Sequence, residues 1–170
     1  MVHSVVTVTL MTTRAVTPTT SDSASASGAD SLAAVEIATQ AGKLLLDLRE
    51  GLATPGIDAA EIRAAGDRRS HELITGLLRE RFPQDAVLSE EGADDLARLD
   101  AERVWIVDPL DGTREFGEAD RADWAVHVAL VERGALTVGA VAMPAAGVTY
   151  STMDGPVDLP PLRVVPRVVV

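Results

Sequence analysis

The spacing of hydrophobic residues changes at Pro83, and this change limits the folds that the chain can adopt. Before Pro83, apolar residues recur every three or four positions, which predicts helices over residues 31–52 and 68–81. After Pro83, they form short runs separated by turns, a pattern typical of strands. The predicted strands are residues 86–88, 104–107, 124–131, 136–143 and 148–151. Two helices followed by a series of strands indicate an α+β fold with helices layered on a sheet.

Polar residues mark the predicted ends of both helices. Asp30 or Ser31 can cap the first helix, and Gly51 lies near its end. Asp67 stands where the N-cap of the second helix is predicted. A capping carboxylate can also take part in a functional site, so both interpretations of Asp67 remain open.

The two ends of the chain differ in composition from its middle. Residues 1–29 are rich in Ser and Thr and have little to bury, so we predict a disordered tail, with a signal-peptide core or a translation start at Met11 as alternatives. Residues 30–152 form the predicted α+β domain. Residues 153–170 are rich in Pro and Val and end in a strand-like run. We interpret them as the first residues of a second half, the rest of which is missing from a truncated chain.

The composition excludes several classes of protein. At 170 residues and 46% hydrophobic, the chain is long enough for one domain with a buried core. It has no apolar run of about 18 residues, so we predict no membrane span and no membrane partner. Cysteine is absent, which excludes disulfides and thiolate metal sites and fits a cytoplasmic protein. The net charge of −11 argues against a nucleic-acid polymer as partner, because Lys and Arg bind phosphate backbones.

Acidic residues are concentrated in one part of the chain. Of the 26 Asp and Glu residues, 13 lie between Asp85 and Asp123, together with four Arg. This concentration is either a solvated acidic surface or a site for hard cations, which prefer carboxylate and carbonyl oxygens. A cation site can still accept an anionic substrate, because the bound metal reverses the local charge.

Each of the first two predicted strands is followed by carboxylates. Glu90 and Glu91 follow the strand 86–88, and Asp108 and Asp111 follow the strand 104–107. Sites in α/β proteins commonly lie at the carboxyl ends of strands. Carboxylates brought together there repel one another unless a cation lies between them.

The loop after the second strand has the residues that such a site requires. Pro109 makes a rigid bend, so that the carboxylates on either side of Leu110 can face one centre with the Leu110 carbonyl. Gly112 permits a close backbone approach, and the amides of Gly112 and Thr113 could donate to a phosphate oxygen. Three carboxylates and a carbonyl form an oxygen-only ligand set, which favours Mg²⁺ over zinc or copper.

Three motifs resemble those of a known family. The segment Trp105–Phe116 is similar to the signature of the inositol monophosphatase superfamily, Ser89–Gly92 to its upstream Glu-Glu element, and Ala65–Asp67 to its earlier Asp position. Their order and spacing agree. Glu115, preceded by Arg114, resembles the 3′(2′),5′-bisphosphate nucleotidase branch, whereas inositol phosphatases more often carry Asn at that position.

The resemblance implies a fold and a metal site. The fold would be a layered α/β/α/β/α sandwich of the inositol monophosphatase type, with the C-terminal half missing from this chain. Glu90, Asp108 and the Leu110 carbonyl would bind a first Mg²⁺. Asp108 would bridge to a second Mg²⁺ that Asp111 also binds.

The resemblance also implies catalytic roles and a substrate. Thr113 and Asp67 would orient the attacking water, Glu91 would support the site, and Gly112 with Thr113 would bind the phosphate. The substrate would be a small phosphorylated metabolite, 3′-phosphoadenosine 5′-phosphate, in sulfur metabolism, with inhibition by lithium and a possible homodimer. Inositol 1-phosphate or fructose 1,6-bisphosphate as substrate, or an inactive truncated fragment, are the alternatives.

The chain departs from the family in its second half. Members of the family run longer and have a Trp-Asp element whose Asp completes the second metal site, and nothing after Met143 supplies it. Among the remaining polar residues, we expect His71 and Arg68–Arg69 on a helix surface and His127 in the core or on the sheet surface.

Overall fold

A computed structural model describes residues 22–51, 58–93 and 95–155, and only the backbone of residues 22–27. The predictions for residues 1–21 and for the Pro/Val-rich end from residue 156 lie outside the described residues. No helix in the described part of the chain is both long and apolar enough to cross a membrane.

Two helices precede a five-stranded sheet, which confirms the α+β fold class. The helices are α1 (Asp22–Glu50), α2 (Ala59–Arg81) and the short α3 (Thr113–Phe116). The strands are β1 (Ala86–Ser89), β2 (Arg103–Asp111), β3 (Ala125–Glu132), β4 (Ala135–Met143) and β5 (Val148–Ser151). Short 3₁₀ turns cover Leu96–Asp100, Pro144–Ala146 and Thr152–Asp154.

The sheet brings the carboxyl ends of β1 and β2 to one edge. Its strands are ordered as in the sequence; β1 and β2 are parallel, and the other neighbouring pairs are antiparallel. The residues that follow β1 and those that end β2 therefore lie side by side.

The two long helices cover one face of the sheet. Alternate strand residues such as Trp105, Val128 and Val138 point into this layer and are fully buried or nearly so, as is Ile37 of α1. Each large apolar side chain buried in this way stabilises the fold by about 2 kcal/mol. The residues that alternate with them point to the other face, where Ile106 is 40% exposed.

Helix α1 begins earlier than predicted. It starts at Asp22, so residues 22–29, assigned to the tail from their composition, are its first two turns. Asp30 and Ser31 are buried inside the helix rather than capping it. The Asp30 carboxylate instead accepts hydrogen bonds from Arg103 of β2, a tertiary contact that local spacing does not reveal.

Helix α2 also begins earlier, and the prediction of Asp67 as its N-cap is wrong. Asp58 is the cap, and its side chain accepts from the Ala60 amide at 3.0 Å. Asp67 lies within the helix, next to the buried Gly66. A Cβ at Gly66 would lie 2.8 Å from a ring carbon of Phe116, so this glycine allows close packing there and does not end the helix.

Candidate active site

The ends of β1 and β2, the middle of α2 and the start of α3 meet around one open cavity of about 110 Å³. Its lining contains all eight residues that the sequence singled out. They are Asp67, Glu90, Glu91, Asp108, Leu110, Asp111, Gly112 and Thr113. The structure therefore brings the predicted residues together, while the role of each stays a prediction.

Residues 108–111, predicted as a loop after the second strand, are the last residues of β2 and are held from both sides. The pairing of β2 with β3 is irregular between Asp108 and Asp111, which lets the chain bend at Pro109. The Pro109 carbonyl accepts a hydrogen bond from the buried Ser70 hydroxyl of α2 at 2.7 Å, and the Leu110 amide donates to Asp108 Oδ1 at 3.2 Å. Helix α2 thus fixes the segment that carries the acids.

Gly112 is required by the backbone. Its φ of 79° and ψ of 41° are left-handed, a conformation that costs other residues free energy. A Cβ there would also lie 3.1 Å from the Asp123 carbonyl oxygen. This turn starts α3 at Thr113, whose hydroxyl faces the cavity.

Asp67 and Thr113, which the resemblance implied as the residues that orient the attacking water, are in contact. Thr113 Oγ1 lies 3.2 Å from Asp67 Oδ1 and 3.0 Å from the Leu110 carbonyl oxygen. The hydroxyl has one proton, so it donates to one of these acceptors at a time. Its oxygen remains able to accept a hydrogen bond from a molecule in the cavity.

Two carboxyl groups in the cavity have raised pKa values. Burial first, and then the carboxylates of Glu90 and Asp111, raise the pKa of Asp108 to about 6. Burial and the Glu91 carboxylate raise the pKa of Asp67 to about 6, against the lowering effect of the hydrogen bond from Thr113. These shifts mark partly buried carboxyl groups surrounded mainly by like charges.

The donor chemistry fits a divalent cation. The lining is rich in oxygen donors, among them five Asp and Glu side chains, and hard cations such as Mg²⁺ prefer oxygen ligands. In the described part of the chain, however, no three His, Asp or Glu side chains converge closely enough to hold an ion as they stand. The exposed Asp111 carboxylate lies 3.2 Å from His127 Nε2 through one of its two oxygens.

Two histidines near the cavity were not predicted as part of the site. His127 lies on the sheet surface, as expected, but it is paired with Asp108 across the strands and contacts Asp111. The prediction that His71 faces solvent is wrong: it is half-buried, and its Nδ1 lies 2.8 Å from Ser89 Oγ. The spacing contained a signal, because His71 follows Asp67 by four residues and so lies on the same helix face.

The model of the inositol monophosphatase family matches residues 29–156. The chain belongs to this family. Phosphatases of the family generally depend on a metal ion, and the family fold is the one that the sequence resemblance implied.

Two curated relatives and one solved structure show how far the similarity extends. The chain is 49% identical over 128 residues to the 3′-phosphoadenosine 5′-phosphate phosphatase of Mycobacterium leprae, covering 69% of this chain and 46% of the relative. It is 33% identical over 125 residues to the 3′(2′),5′-bisphosphate nucleotidase CysQ of Escherichia coli, covering 71% and 50%. It aligns with the crystal structure of CysQ from Bacteroides thetaiotaomicron at a TM-score of 0.60 and 31% identity, covering 72% and 48%. The chain thus spans about half the length of the curated relatives it matches.

Proposed function

We propose that this chain carries the cation-binding part of a Mg²⁺-dependent phosphomonoesterase that removes the 3′-phosphate of 3′-phosphoadenosine 5′-phosphate. The observation that carries the proposal is the single cavity lined by all eight predicted residues. The names of the Mycobacterium leprae and Escherichia coli relatives support the choice of substrate.

The ligands for the cation come from two strand ends. Glu90, Asp108 and the Leu110 carbonyl would hold one Mg²⁺, and Asp108 with Asp111 would hold a second. Bound Mg²⁺ supplies Lewis-acid chemistry and neutralises the charge that develops on the phosphate. Glu91 adds negative charge beside Asp67 and so helps to keep the site selective for cations.

Asp67 and Thr113 would orient the attacking water. When Thr113 Oγ1 donates to Asp67 Oδ1, its oxygen can accept a proton of water in the cavity. The water is then held with a lone pair directed away from Thr113, and the Asp67 carboxylate can receive the displaced proton through the hydroxyl. The amides of Gly112 and Thr113 would donate to a phosphate oxygen.

The test is phosphate release by the full 170-residue chain. The substrates are 3′-phosphoadenosine 5′-phosphate, inositol 1-phosphate and fructose 1,6-bisphosphate, each with Mg²⁺, with Mg²⁺ plus Li⁺, and with EDTA. We expect the nucleotide to be hydrolysed fastest, only with Mg²⁺, and more slowly with Li⁺. The Asp108→Asn variant is the matched control, because it keeps the shape of the side chain and removes its charge. A faster rate with inositol 1-phosphate would contradict the substrate, and no release from any of them would contradict the activity.

A second candidate function is a cation-binding chain that does not catalyse hydrolysis. It is supported by the coverage, because the chain matches only about half the length of each relative. Calorimetric titration with Mg²⁺ or Mn²⁺ separates the two candidates. Binding that Asp108→Asn abolishes, together with no phosphate release, would support this second candidate.

A further inference from the structure

The residues 89–92 form a turn after β1 that carries Glu90 and Glu91, which we call the acidic turn. Backbone hydrogen bonds hold it from within and against β2: the Gly92 amide donates to the Ser89 carbonyl at 3.1 Å, and the Glu90 amide donates to the Val107 carbonyl at 3.2 Å. These two bonds define the path of the backbone toward the acids, and exchange at the two amides reports how firmly the turn is held.

A side chain of α2 adds a further contact to the acidic turn. His71 Nδ1 lies 2.8 Å from the hydroxyl of Ser89, which is only 7% exposed. The imidazole also packs against Gly92, where an added Cβ would lie 3.1 Å from His71 Cε1. The acidic turn therefore packs closely against one edge of the His71 imidazole.

His71 links helix α2, which carries Asp67, to the acidic turn, which carries Glu90 and Glu91. It lies one helical turn after Asp67, which faces the cavity, whereas His71 itself does not line the cavity. Both residues are on one rigid helix. A contact from this helix to the acidic turn therefore sets the distance between Asp67 and the two Glu side chains.

We propose that His71 is a positioning residue for the cation site, acting through Ser89 to direct Glu90 and Glu91 toward Asp67. The inference rests on the proposed function, since it gives His71 a role in cation binding. A divalent cation accepts its ligands only within a narrow range of distances, so small displacements of the turn weaken binding. Groups that hold ligands in place without touching the metal typically account for about 10- to 100-fold of its affinity.

Three variants isolate this contact. His71→Leu removes the hydrogen bond and keeps much of the bulk, and Ser89→Ala removes the same bond from the other side. His71→Asn places an amide near the position of Nδ1 and can restore it. Thr75→Val is the matched control: Thr75 is buried one turn further along α2 and donates to the His71 carbonyl at 2.8 Å, away from the acidic turn.

The first measurement is the dissociation constant for Mn²⁺ of the full chain. We expect His71→Leu and Ser89→Ala each to weaken binding by about tenfold. The double variant should bind no more weakly than either single variant, because both remove one bond. His71→Asn should restore the affinity, and Thr75→Val should leave it unchanged even though it lowers the melting temperature.

The second measurement needs no cation. In EDTA, hydrogen exchange at the Glu90 and Gly92 amides should be faster in His71→Leu and Ser89→Ala than in the unsubstituted chain and in Thr75→Val. Equal exchange rates in all four proteins would overturn the inference.

The outcomes separate this inference from the proposed function. If the unsubstituted chain binds Mn²⁺ and His71→Leu binds it equally well, the inference is overturned and the proposed function stands. If the unsubstituted chain binds no divalent cation, both are overturned. Additive losses in the double variant, or an equal loss in Thr75→Val, would overturn the role of this hydrogen bond.

Discussion

Strand β2 begins and ends among carboxylates, but in the described part of the chain only those at its beginning form ion pairs with an arginine. Near its first residue, Arg103 donates to Asp85 at 3.0 Å and to Asp30 at 3.1 Å. The Trp105 indole donates to the same Asp85 carboxylate at 2.9 Å. Both carboxylates are thus largely buried and have strong hydrogen-bond donors.

At the other end of β2, the charged neighbours of Asp108 are mainly carboxylates. Asp108 accepts a backbone hydrogen bond from Leu110 and has Glu90 and Asp111 as charged neighbours. Among the described residues, no Lys or Arg forms an ion pair with Asp108, and its pKa is raised to about 6.

The comparison separates structural from functional carboxylates within one strand. Where the protein itself supplies the counter-charge, as Arg103 does, the acids stabilise the fold. Where the acids are clustered and no Lys or Arg of the described residues forms an ion pair with them, the fold carries an electrostatic cost that an external cation can remove. This imbalance of charge, rather than the number of acids, identifies the candidate site.

The largest effect should come from removing the positive charge at the beginning of β2. Arg103→Met leaves Asp30 and Asp85 without their partner, and we expect it to lower the free energy of unfolding by about 3 kcal/mol. Urea denaturation measures this loss. Arg133→Met is the control, since the Arg133–Glu102 pair is more than 70% exposed and should contribute less than about 1 kcal/mol. A loss of Mn²⁺ affinity in Arg103→Met at a temperature where it is folded would contradict the separation of the two ends.

The next largest effect should come from removing the charge of Asp108 at the carboxyl end of β2. Asp108→Asn should weaken Mn²⁺ binding by about 100-fold, equivalent to about 2.7 kcal/mol. Without cation, the variant should be at least as stable as the unsubstituted chain, because it removes a repelled charge. Asp85→Asn is the matched control and should lower stability without changing the affinity. Unchanged Mn²⁺ binding by Asp108→Asn would rule out its role as a ligand.

The sequence located the carboxylates at the carboxyl end of β2 because two local signals coincide there, although the strand continues to Asp111 and not only to residue 107. The apolar run 104–107 indicated a buried strand, and Pro109 and Gly112 indicated a bend soon after it, so Asp108 and Asp111 were expected at one end of the sheet. Which strands are neighbours was also accessible, since short connections favour adjacent strands. All eight predicted residues therefore reached one cavity.

The parts that the sequence did not predict depend on contacts between distant segments. Asp67 was predicted at a helix end, yet α2 continues through Gly66, which is needed for close packing against Phe116. His71 and Asp30 were misplaced because their partners, Ser89 and Arg103, lie on strands far along the chain. Local spacing carries no record of such pairs.

A smaller effect should follow from filling the turn that links β2 to α3. Gly112→Ala combines an unfavourable φ of 79° with a contact of 3.1 Å to the Asp123 carbonyl, and should cost about 2 kcal/mol of stability. Gly147→Ala is the control, since Gly147 has a φ of 69° and nothing within 4 Å, so it should cost only about 1 kcal/mol. The difference between the two, measured by urea denaturation, reports the close contact. Equal losses of stability in the two variants would show that only the backbone angle, and not the close contact, requires glycine at position 112.

The smallest effect is a pH dependence confined to the unpaired end of β2. The folded pKa of Asp108 is about 6, above its ordinary value of 3.8, so its protonated form favours the folded state. This contribution is complete below pH 3.8 and is lost as the pH rises through 6. In EDTA, the stability of the unsubstituted chain relative to Asp108→Asn should therefore fall between these limits by about 1 kcal/mol, after allowance for solvent screening. With saturating Mg²⁺, the same stability difference should instead rise with pH, because the cation binds the carboxylate and competes with the proton. Urea denaturation of both proteins across this pH range, with EDTA and then with Mg²⁺, tests both directions of change. If the difference in the free energy of unfolding between the two proteins does not change with pH in either condition, Asp108 is not part of a cation site.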